Sequence, residues 1–277
     1  MIEDLLADLR TPTSGLSPLT LLAGAVVQRD ACGLVTATLA GPDGLDVSRV
    51  RDGVWEAMGP HRPQRSAAQI TNALPMSPWF YERTWRPGAM TRFSGRSFPL
   101  AAELAEMDDA VGDVEGRLVI DVGCAEGLMA RHLARRGGRV LAIDHSRAYC
   151  RKARARALDE GVAIAPARAL AQHLPVTDAA AAAVVMGGTL NEIGDRAAAL
   201  AEVARVLVPG GRAYIVSLLG ARRRAGSLLQ RALGFTGIEF PTLDATNLLF
   251  AQAGLTVVDQ RVEGIAARTT LRRPPRA

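Results

Sequence analysis

One short segment, Asp121-Val-Gly-Cys-Ala-Glu-Gly127, constrains the fold of this chain more than any other part of its sequence. It follows the apolar run Arg117–Val122 and leads into residues with helical spacing, which predicts a buried strand, a turn and a helix. Gly123 and Gly127 let the backbone approach a ligand closely, and the first turn of the helix offers free N–H donors. The segment therefore predicts a ligand site at the carboxyl end of a strand in an α/β sheet.

Residues 117–271 alternate strand and helix patterns, which favours a mostly parallel sheet covered by helices. Ser146 and Asp195 are expected to cap two of the helices, and Pro209-Gly-Gly211 to end the second of them. The predicted strands are Arg117–Val122, Val140–Asp144, Val162–Ala165, Ala181–Met186, Arg212–Leu218, Thr256–Val262 and Ile265–Leu271, the last two hinged at Gly264. The predicted helices are Gly127–Arg136, one that follows Ser146, Asp195–Val208, Ser227–Leu233 and Asp244–Ala253.

A second acid, Asp144, ends the next predicted strand, 21 positions after Gly123. This spacing is typical of an acid that binds a ribose, because one carboxylate accepts hydrogen bonds from both ribose hydroxyls. A dinucleotide fingerprint aligned on Gly123 would need glycines at 121 and 126, where this chain has Asp121 and Glu126. Two acids repel a pyrophosphate, so the pattern argues against a nicotinamide cofactor.

The segment LVIDVGCAEGLMARHLARRGGRVLAIDHS resembles the first two motifs of the class I methyltransferases that use S-adenosylmethionine (AdoMet). EVARVLVPGGRAYIV resembles a later signature of the same family, and together the matches cover roughly residues 117–218. The resemblance implies a Rossmann-like α/β fold: a mostly parallel seven-stranded sheet that closes with a C-terminal antiparallel hairpin. It also implies AdoMet as cofactor, S-adenosylhomocysteine (AdoHcy) as its product, and methyl transfer as the activity.

The same resemblance assigns the cofactor site residue by residue. It implies that Asp121 and Gly123 lie beside the methionine part of AdoMet and that Asp144 binds the ribose. The full set expected to bind the cofactor is Asp121, Gly123, Cys124, Ala125, Gly127, Asp144, His145, Gln172 and Tyr81. The chain departs from the family at Leu170, which stands where an acid usually holds the adenine amino group. We expect the adenine contact to come from the backbone or from Gln172, or to be missing, with modest affinity or a changed cofactor role as the consequence.

Thr11, Ser14, Arg29 and Cys32 occupy the four ligand positions of a pattern that resembles a zinc ribbon. Such ribbons head some ribosomal-RNA methyltransferases and some quinone-type or plastid methyltransferases. Only the cysteine could bind zinc, so no tetrahedral site is expected. An unrelated small β-hairpin subdomain is the alternative, and it also predicts no metal. We expect residues 1–60 to form this β-rich subdomain, 61–112 a helical linker or lid, and 113–277 the AdoMet-binding domain.

Four of the twelve aromatic residues lie close together between Ser77 and Pro87, in a segment that resembles the "YExxWRP" motif of the same methyltransferase subgroup. The resemblance implies a lid over the cofactor and substrate, with Tyr81 facing the site. A core-packing helix is the alternative.

Candidate catalytic residues follow the strand that ends near Met186. Asn191 and Glu192 leave that strand at its carboxyl end, and His173 is a possible base, with Tyr81 as the fourth candidate. Each could instead be a loop cap or a surface group. A carbon nucleophile on an electron-rich acceptor would need no base.

The charge pattern bears on the substrate. The net charge is +5, but Lys152 is the only lysine, and aromatic residues that could stack on bases are scarce, which argues against nucleic acid. We expect C- or O-methylation of a small, mostly apolar metabolite such as a quinone, polyketide or terpenoid. The alternatives are a ribosomal-RNA or transfer-RNA base, and a methyltransferase-fold protein that uses AdoMet non-catalytically in a cyclisation. Few cysteines and no apolar run long enough for a membrane helix favour a cytoplasmic protein, and nothing in the sequence indicates an oligomeric state.

Overall fold

A computed structural model describes residues 2–13, 15, 17–30, 33–44, 46–60, 86–221, 230–231, 234–235 and 237–275. Its strands are β1 (Thr20–Leu21), β2 (Gln28–Asp30), β3 (Gly33–Ala40), β4 (Val47–Arg51), β5 (Val54–Glu56), β6 (Leu118–Val122), β7 (Arg139–Asp144), β8 (Ala165–Arg168), β9 (Ala181–Gly187), β10 (Leu207–Leu218), β11 (Thr256–Glu263) and β12 (Ala266–Arg272). Its α-helices are α1 (Arg86–Ser94), α2 (Leu100–Val111), α3 (Leu128–Arg135), α4 (Arg147–Asp159), α5 (Arg196–Val206) and α6 (Leu243–Gln252), with short 3-10 helices at Ile2–Asp8 and Thr189–Glu192.

The strands form one sheet in the order β1-β3-β4-β5-β8-β7-β6-β9-β10-β12-β11, with β2 beside β3. Strands β5 to β10 pair in parallel, and β12 runs antiparallel to both β10 and β11. The predicted fold class is therefore confirmed: seven strands, β6 to β12, form a mostly parallel sheet that ends in an antiparallel hairpin.

The N-terminal strands continue this sheet. β5 pairs in parallel with β8, through Trp55 opposite Ala167 and Glu56 opposite Arg168. Trp55 is fully buried, its indole N–H donates to Ser48 Oγ at 2.8 Å, and it belongs to the same apolar core as residues of β6 and β7. The predicted β-rich N-terminal part thus adds five strands to one edge of the sheet. Thr11 is buried and Arg29 lies on the surface bound to Glu3, whereas Ser14 and Cys32 fall outside the described residues.

Helices cover both faces of the sheet because the central strands are apolar on both sides. All five residues of β6 are buried, as a parallel strand between two helical layers requires. One core lies between the sheet and α2, α3 and α4, and the other contains side chains of α5, α6 and the first 3-10 helix. This arrangement leaves the carboxyl ends of the parallel strands as the open edge of the domain.

Two predicted boundaries, the start of β8 and the end of α5, are wrong for local reasons. Val162 was expected to begin β8, but its N–H bonds to Ala157 O as part of the α4 C-terminal cap, around Gly161 at φ +65°, so the strand begins three residues later. Pro209 was expected to end α5. That helix ends at Val206, and Pro209 lies within β10, where the register shifts against β9.

Most of the predicted helix Ser227–Leu233 lies outside the described residues. The two predicted caps are present: Ser146 accepts from Tyr149 N–H, and Asp195 accepts from Ala198 N–H.

The C-terminal hairpin contacts helix α1 at Gly264. Ile265 N–H donates to Phe93 O at 2.9 Å, and Arg96 forms an ion pair with Glu263 at 2.6 Å. Gly264 has φ +58°, and a Cβ built there would lie 2.2 Å from Phe93 O. A side chain at this position would therefore force two backbone segments apart.

Gly264→Ala is expected to lower the free energy of unfolding by about 2–4 kcal/mol, from the cost of a positive φ and of the clash with backbone. Gly254→Ala is the matched control, because Gly254 has φ +75° but its Cβ would point into open space. It should cost only about 1 kcal/mol. Urea unfolding of the two variants measures the difference, and equal losses would refute the contact.

Candidate functional site

The turn after β6 brings backbone to the open edge of the sheet. Gly123 has φ +73°, and a Cβ there would lie 2.0 Å from Thr189 Oγ1. The Thr189 hydroxyl donates to Gly123 O at 3.4 Å. Glycine is thus required at 123 by both its conformation and its neighbour. Ala125, in the same turn, holds φ +48° although it carries a side chain.

Asp144, at the end of β7, joins two turns through its carboxylate. Its Oδ2 accepts from Ala125 N–H at 3.1 Å, and its Oδ1 accepts from Ser146 N–H at 2.8 Å. The first bond reaches into the turn after β6, and the second closes the turn into α4. The side chain is therefore both a structural link and a polar group at the edge of the sheet.

The environment of Asp144 shifts its ionisation. Burial raises the pKa of Asp144 above its ordinary value, and the neighbouring His145 and the backbone N–H groups of residues 146, 125 and 145 offset part of that rise. His145 Nδ1 lies 3.5 Å from Asp144 Oδ1. The carboxylate is thus less readily ionised than a surface aspartate, and any partner that donates hydrogen bonds to it favours its charged form.

An open cleft lies beside these turns. Its walls are mostly apolar with a few polar groups: Val122, Gly123, Ile143, Asp144, His145, Ala169, Leu170, Ala171, Gln172, Thr189, Glu192 and Ile193. They follow β6, β7, β8 and β9, so the cleft lies at the carboxyl ends of four parallel strands.

A tight turn forms the wall that follows β8. His173 N–H donates to Leu170 O at 3.0 Å, which places Ala171 and Gln172 at the tip of the turn. Leu170 and Gln172 line the cleft, whereas His173 is exposed and is not among its lining residues. At this end the cleft offers apolar surface and one amide.

Asn191 anchors the opposite wall. Its Nδ2 donates to Leu218 O at 2.7 Å and to Glu239 O at 2.5 Å, and its Oδ1 accepts from Leu218 N–H at 2.7 Å. The side chain is buried and binds backbone on two other segments. It thereby holds the 3-10 helix that carries Thr189 and Glu192 against the end of β10.

Five of the predicted site residues line the cleft: Gly123, Asp144, His145, Gln172 and Glu192. Cys124, Ala125 and Gly127 form the adjoining turn, and Asp121 is buried with its Oδ2 accepting from Ala130 N–H at 3.0 Å. Tyr81 and the rest of the predicted lid lie outside the described residues.

The cysteine of this turn is not activated. Burial raises the pKa of the Cys124 thiol well above its ordinary value, and the same holds for Cys150. Both thiols therefore stay protonated at neutral pH, and neither acts as a thiolate nucleophile.

Sequence reasoning missed Thr189 and Ile193, which complete the wall after β9. The signal for Thr189 was the pair Gly187-Gly188: Gly188 has φ +96° and turns the chain back towards Gly123. Within the described ranges no group of His, Cys, Asp and Glu residues could hold a metal ion, and no helix there is long and apolar enough to cross a bilayer.

Comparison with known proteins places this cleft in a recognised domain. Residues 119–211 match the family model described as a methyltransferase domain. The ubiquinone biosynthesis O-methyltransferase of Alkalilimnicola ehrlichii is 35% identical over 123 residues, which are 40% of this chain and 50% of that protein. The chain spans about half the length of these curated relatives.

Solved structures share the fold at low identity. The 4+2 cyclase SpnF superposes with a TM-score of 0.61 and 18% identity, covering 77% of this chain and 98% of that one. Geranyl diphosphate C-methyltransferase from Streptomyces coelicolor A3(2) gives a TM-score of 0.56 at 16% identity, covering 62% and 76%. The resemblance predicted from the motifs is confirmed: the matched segment is a methyltransferase domain with the class I fold.

Asn191→Ala is expected to lower the free energy of unfolding by about 1–3 kcal/mol, because it removes three hydrogen bonds from the buried Asn191 side chain to partly buried backbone groups of residues 218 and 239. Gln172→Ala, on the other wall, should change it by about 0.5 kcal/mol or less. Denaturant unfolding of both variants checks this. A stable Asn191→Ala protein would instead favour a direct role in chemistry.

Proposed function

We propose that this protein is an AdoMet-dependent methyltransferase that acts on a small, mostly apolar metabolite. The observation that carries the proposal is the position of the Asp144 carboxylate, in a cleft at the carboxyl ends of β6 to β9 of a methyltransferase domain. The methyltransferase domain supports methyl transfer as the reaction, and the residues that line the cleft support AdoMet as the cofactor.

The residues of the cleft fit AdoMet. The Asp144 oxygens accept the backbone N–H groups of Ala125 and Ser146, and a carboxylate offers about four lone-pair sites, so it can also accept from ribose hydroxyls. Gly123 presents bare backbone to the cleft, and Asp144 and Glu192 supply negative charge. When bound, AdoMet supplies a methyl group on a cationic sulfonium. The acids of the cleft favour this positive charge, whereas they would repel the pyrophosphate of a dinucleotide cofactor.

The turn Leu170–His173 is the proposed adenine end. Ala169, Leu170 and Ala171 offer an apolar surface for a flat ring, and Gln172 offers the one side-chain amide on this wall. Without an acid here, recognition of the adenine amino group falls to Gln172 or to backbone. We therefore expect cofactor affinity to depend mainly on the Asp144 end.

The protein contributes alignment and exclusion of water to a displacement reaction, and a base only where the acceptor needs one. Glu192 lines the cleft and is our first candidate for that base, whereas His173 is exposed on the turn. The proposed role of Asn191 is to position Glu192 and Thr189 through its backbone bonds. Tyr81 is retained as the proposed aromatic contact of the lid.

Charge pairing supports a small acceptor over a nucleic acid. Arg147 pairs with Asp52, Arg154 with Asp30 and Arg168 with Glu56, so arginines beside the cleft are engaged by acids of the N-terminal strands. Apolar walls at Val122, Ile143, Leu170 and Ile193 favour an apolar acceptor. The relatives named for ubiquinone biosynthesis have a name consistent with that class.

Calorimetric titration with AdoHcy, followed by transfer of labelled methyl from AdoMet to a panel of phenolic, quinone-like and terpenoid acceptors, tests the proposal. We expect stoichiometric AdoHcy binding and transfer to at least one acceptor class. Binding without transfer to any acceptor would favour the non-catalytic cyclisation role, and transfer to ribosomal RNA alone would favour the nucleic-acid alternative. No binding at all would refute the proposal.

Asp144 should make cofactor binding depend on pH. Ribose hydroxyls donate to the ionised carboxylate, so protonation weakens binding, and the raised pKa of Asp144 means that this loss begins at a higher pH than for an exposed aspartate. AdoHcy affinity is therefore expected to fall as pH is lowered from about 8 towards about 4. Asp144→Asn should bind about 1–3 kcal/mol more weakly near neutral pH and lack this dependence. A titration series on both proteins measures it, and identical pH profiles would contradict the role of Asp144.

A further inference from the structure

Glu56, the last residue of β5, contacts two arginines on either side of the turn that carries Asp144 and His145. Glu56 Oε2 lies 3.4 Å from Arg168 Nη1, and Glu56 Oε1 lies 3.3 Å from Arg147 Nε. One carboxylate from the N-terminal strands thus faces two cations from the methyltransferase domain.

Arg168 connects Glu56 to the backbone of the cofactor turn. Its Nε donates to His145 O at 3.1 Å. The backbone beside it is also paired, with Ala57 N–H donating to Arg168 O at 3.0 Å and Ala169 N–H donating to Asp144 O at 3.2 Å. Arg168 therefore holds the chain at the residue next to the proposed ribose acid.

Arg147 connects Glu56 to the other end of the same turn. It is the first residue of α4 and follows Ser146, whose N–H donates to Asp144 Oδ1. Glu56 thus contacts Arg168, which bonds to His145 within the turn 144–146, and lies within ion-pair distance of Arg147, which follows that turn. The turn bonds back to residue 125 through the Asp144 carboxylate.

The charges explain why Glu56 matters for this geometry. Its side chain is 21% exposed, and those of Arg147 and Arg168 are 34% and 35% exposed, so solvent screens the three groups only in part. Without the carboxylate, the two guanidinium groups would lose the counter-charge that they share. The turn that both of them brace would then be free to move.

We propose that Glu56 is a positioning residue for the cofactor site, acting through Arg168 and Arg147 on the turn that carries Asp144 and His145. The N-terminal strands thereby support a cleft whose described lining residues all lie in the methyltransferase domain. This inference rests on the proposed AdoMet binding.

Glu56→Gln tests it, with Asp52→Asn as the matched control. Asp52 also belongs to the N-terminal strands and pairs with Arg147 at 3.3 Å and Arg151 at 3.9 Å, but it is 59% exposed and lies away from Arg168. Asn tolerates the φ of +52° at this position. We expect the Kd for AdoHcy to rise about 3- to 30-fold in Glu56→Gln and to change less than about twofold in Asp52→Asn.

Amide hydrogen exchange in the ligand-free proteins gives a readout that does not depend on the cofactor. The N–H groups of Ala125 and Ser146, both bonded to Asp144, should exchange faster in Glu56→Gln and unchanged in Asp52→Asn. A general loss of stability would instead raise exchange throughout the core strands. Arg168→Lys, which keeps the charge but loses the fork geometry that reaches both Glu56 and His145, should give the same local effect if Glu56→Gln fails to fold.

The two failures are distinguishable. Wild-type protein that does not bind AdoHcy refutes the proposed function and, with it, the role of Glu56 in the cofactor site. Wild-type protein that binds, together with a Glu56→Gln variant that matches Asp52→Asn in affinity and in exchange at residues 125 and 146, overturns this inference alone.

Discussion

The cleft depends on the buried carboxylate of Asp144, which accepts one backbone N–H from each of the two turns beside it. Burial of an acid costs free energy, and the raised pKa of Asp144 reports that cost. The two N–H groups and His145 offset part of it, so the acid stays in place only while both turns keep their shape. Ala125 is an example of this dependence. It holds φ +48°, and its N–H must point at the carboxylate to bond to it. The hydrogen bonds that shape the two turns are therefore the same ones that hold the Asp144 carboxylate at the cleft.

The interactions that hold Asp144 extend beyond the methyltransferase domain, because β8 pairs with β7 on one side and with β5 of the N-terminal strands on the other. Pairing with β5 places Glu56 opposite Arg168, whose guanidinium bonds to the carbonyl of His145. An extra strand at the sheet edge thus supplies a counter-charge near the ligand site. A helix or a solvent-exposed edge at β8 would leave Arg147 and Arg168 without that acid.

Local signals in the sequence predicted the parts of the fold that depend on neighbouring residues. The buried run 118–122 and the caps at Ser146 and Asp195 are determined within a few positions, and they appear in the structure as expected. The pairing of β5 with β8 joins residues more than a hundred positions apart, and neither strand carries a local sign of its partner. Thr189 was missed although Gly187-Gly188 indicates a turn before it, because its contact with Gly123 arises only when β6 and β9 lie side by side. The seven strands β6 to β12 could be predicted from the sequence. The position of Glu56 beside Arg168 and the contribution of Thr189 to the cleft could not, because both depend on the tertiary structure.

The same distinction explains why net charge is a poor guide to the ligand of this protein. The chain carries a net charge of +5, yet Asp144 and Glu192 line the cleft and the nearby guanidinium groups face acids. A paired arginine attracts a phosphate less than an unpaired one does, because the adjacent carboxylate offsets its charge beyond the pair and salt screens what remains. The local balance at the carboxyl ends of β6 to β9 is therefore acidic to neutral, with apolar walls. That balance is consistent with the proposed AdoMet and the proposed mostly apolar acceptor, and it does not match the polyanion that the overall charge would suggest.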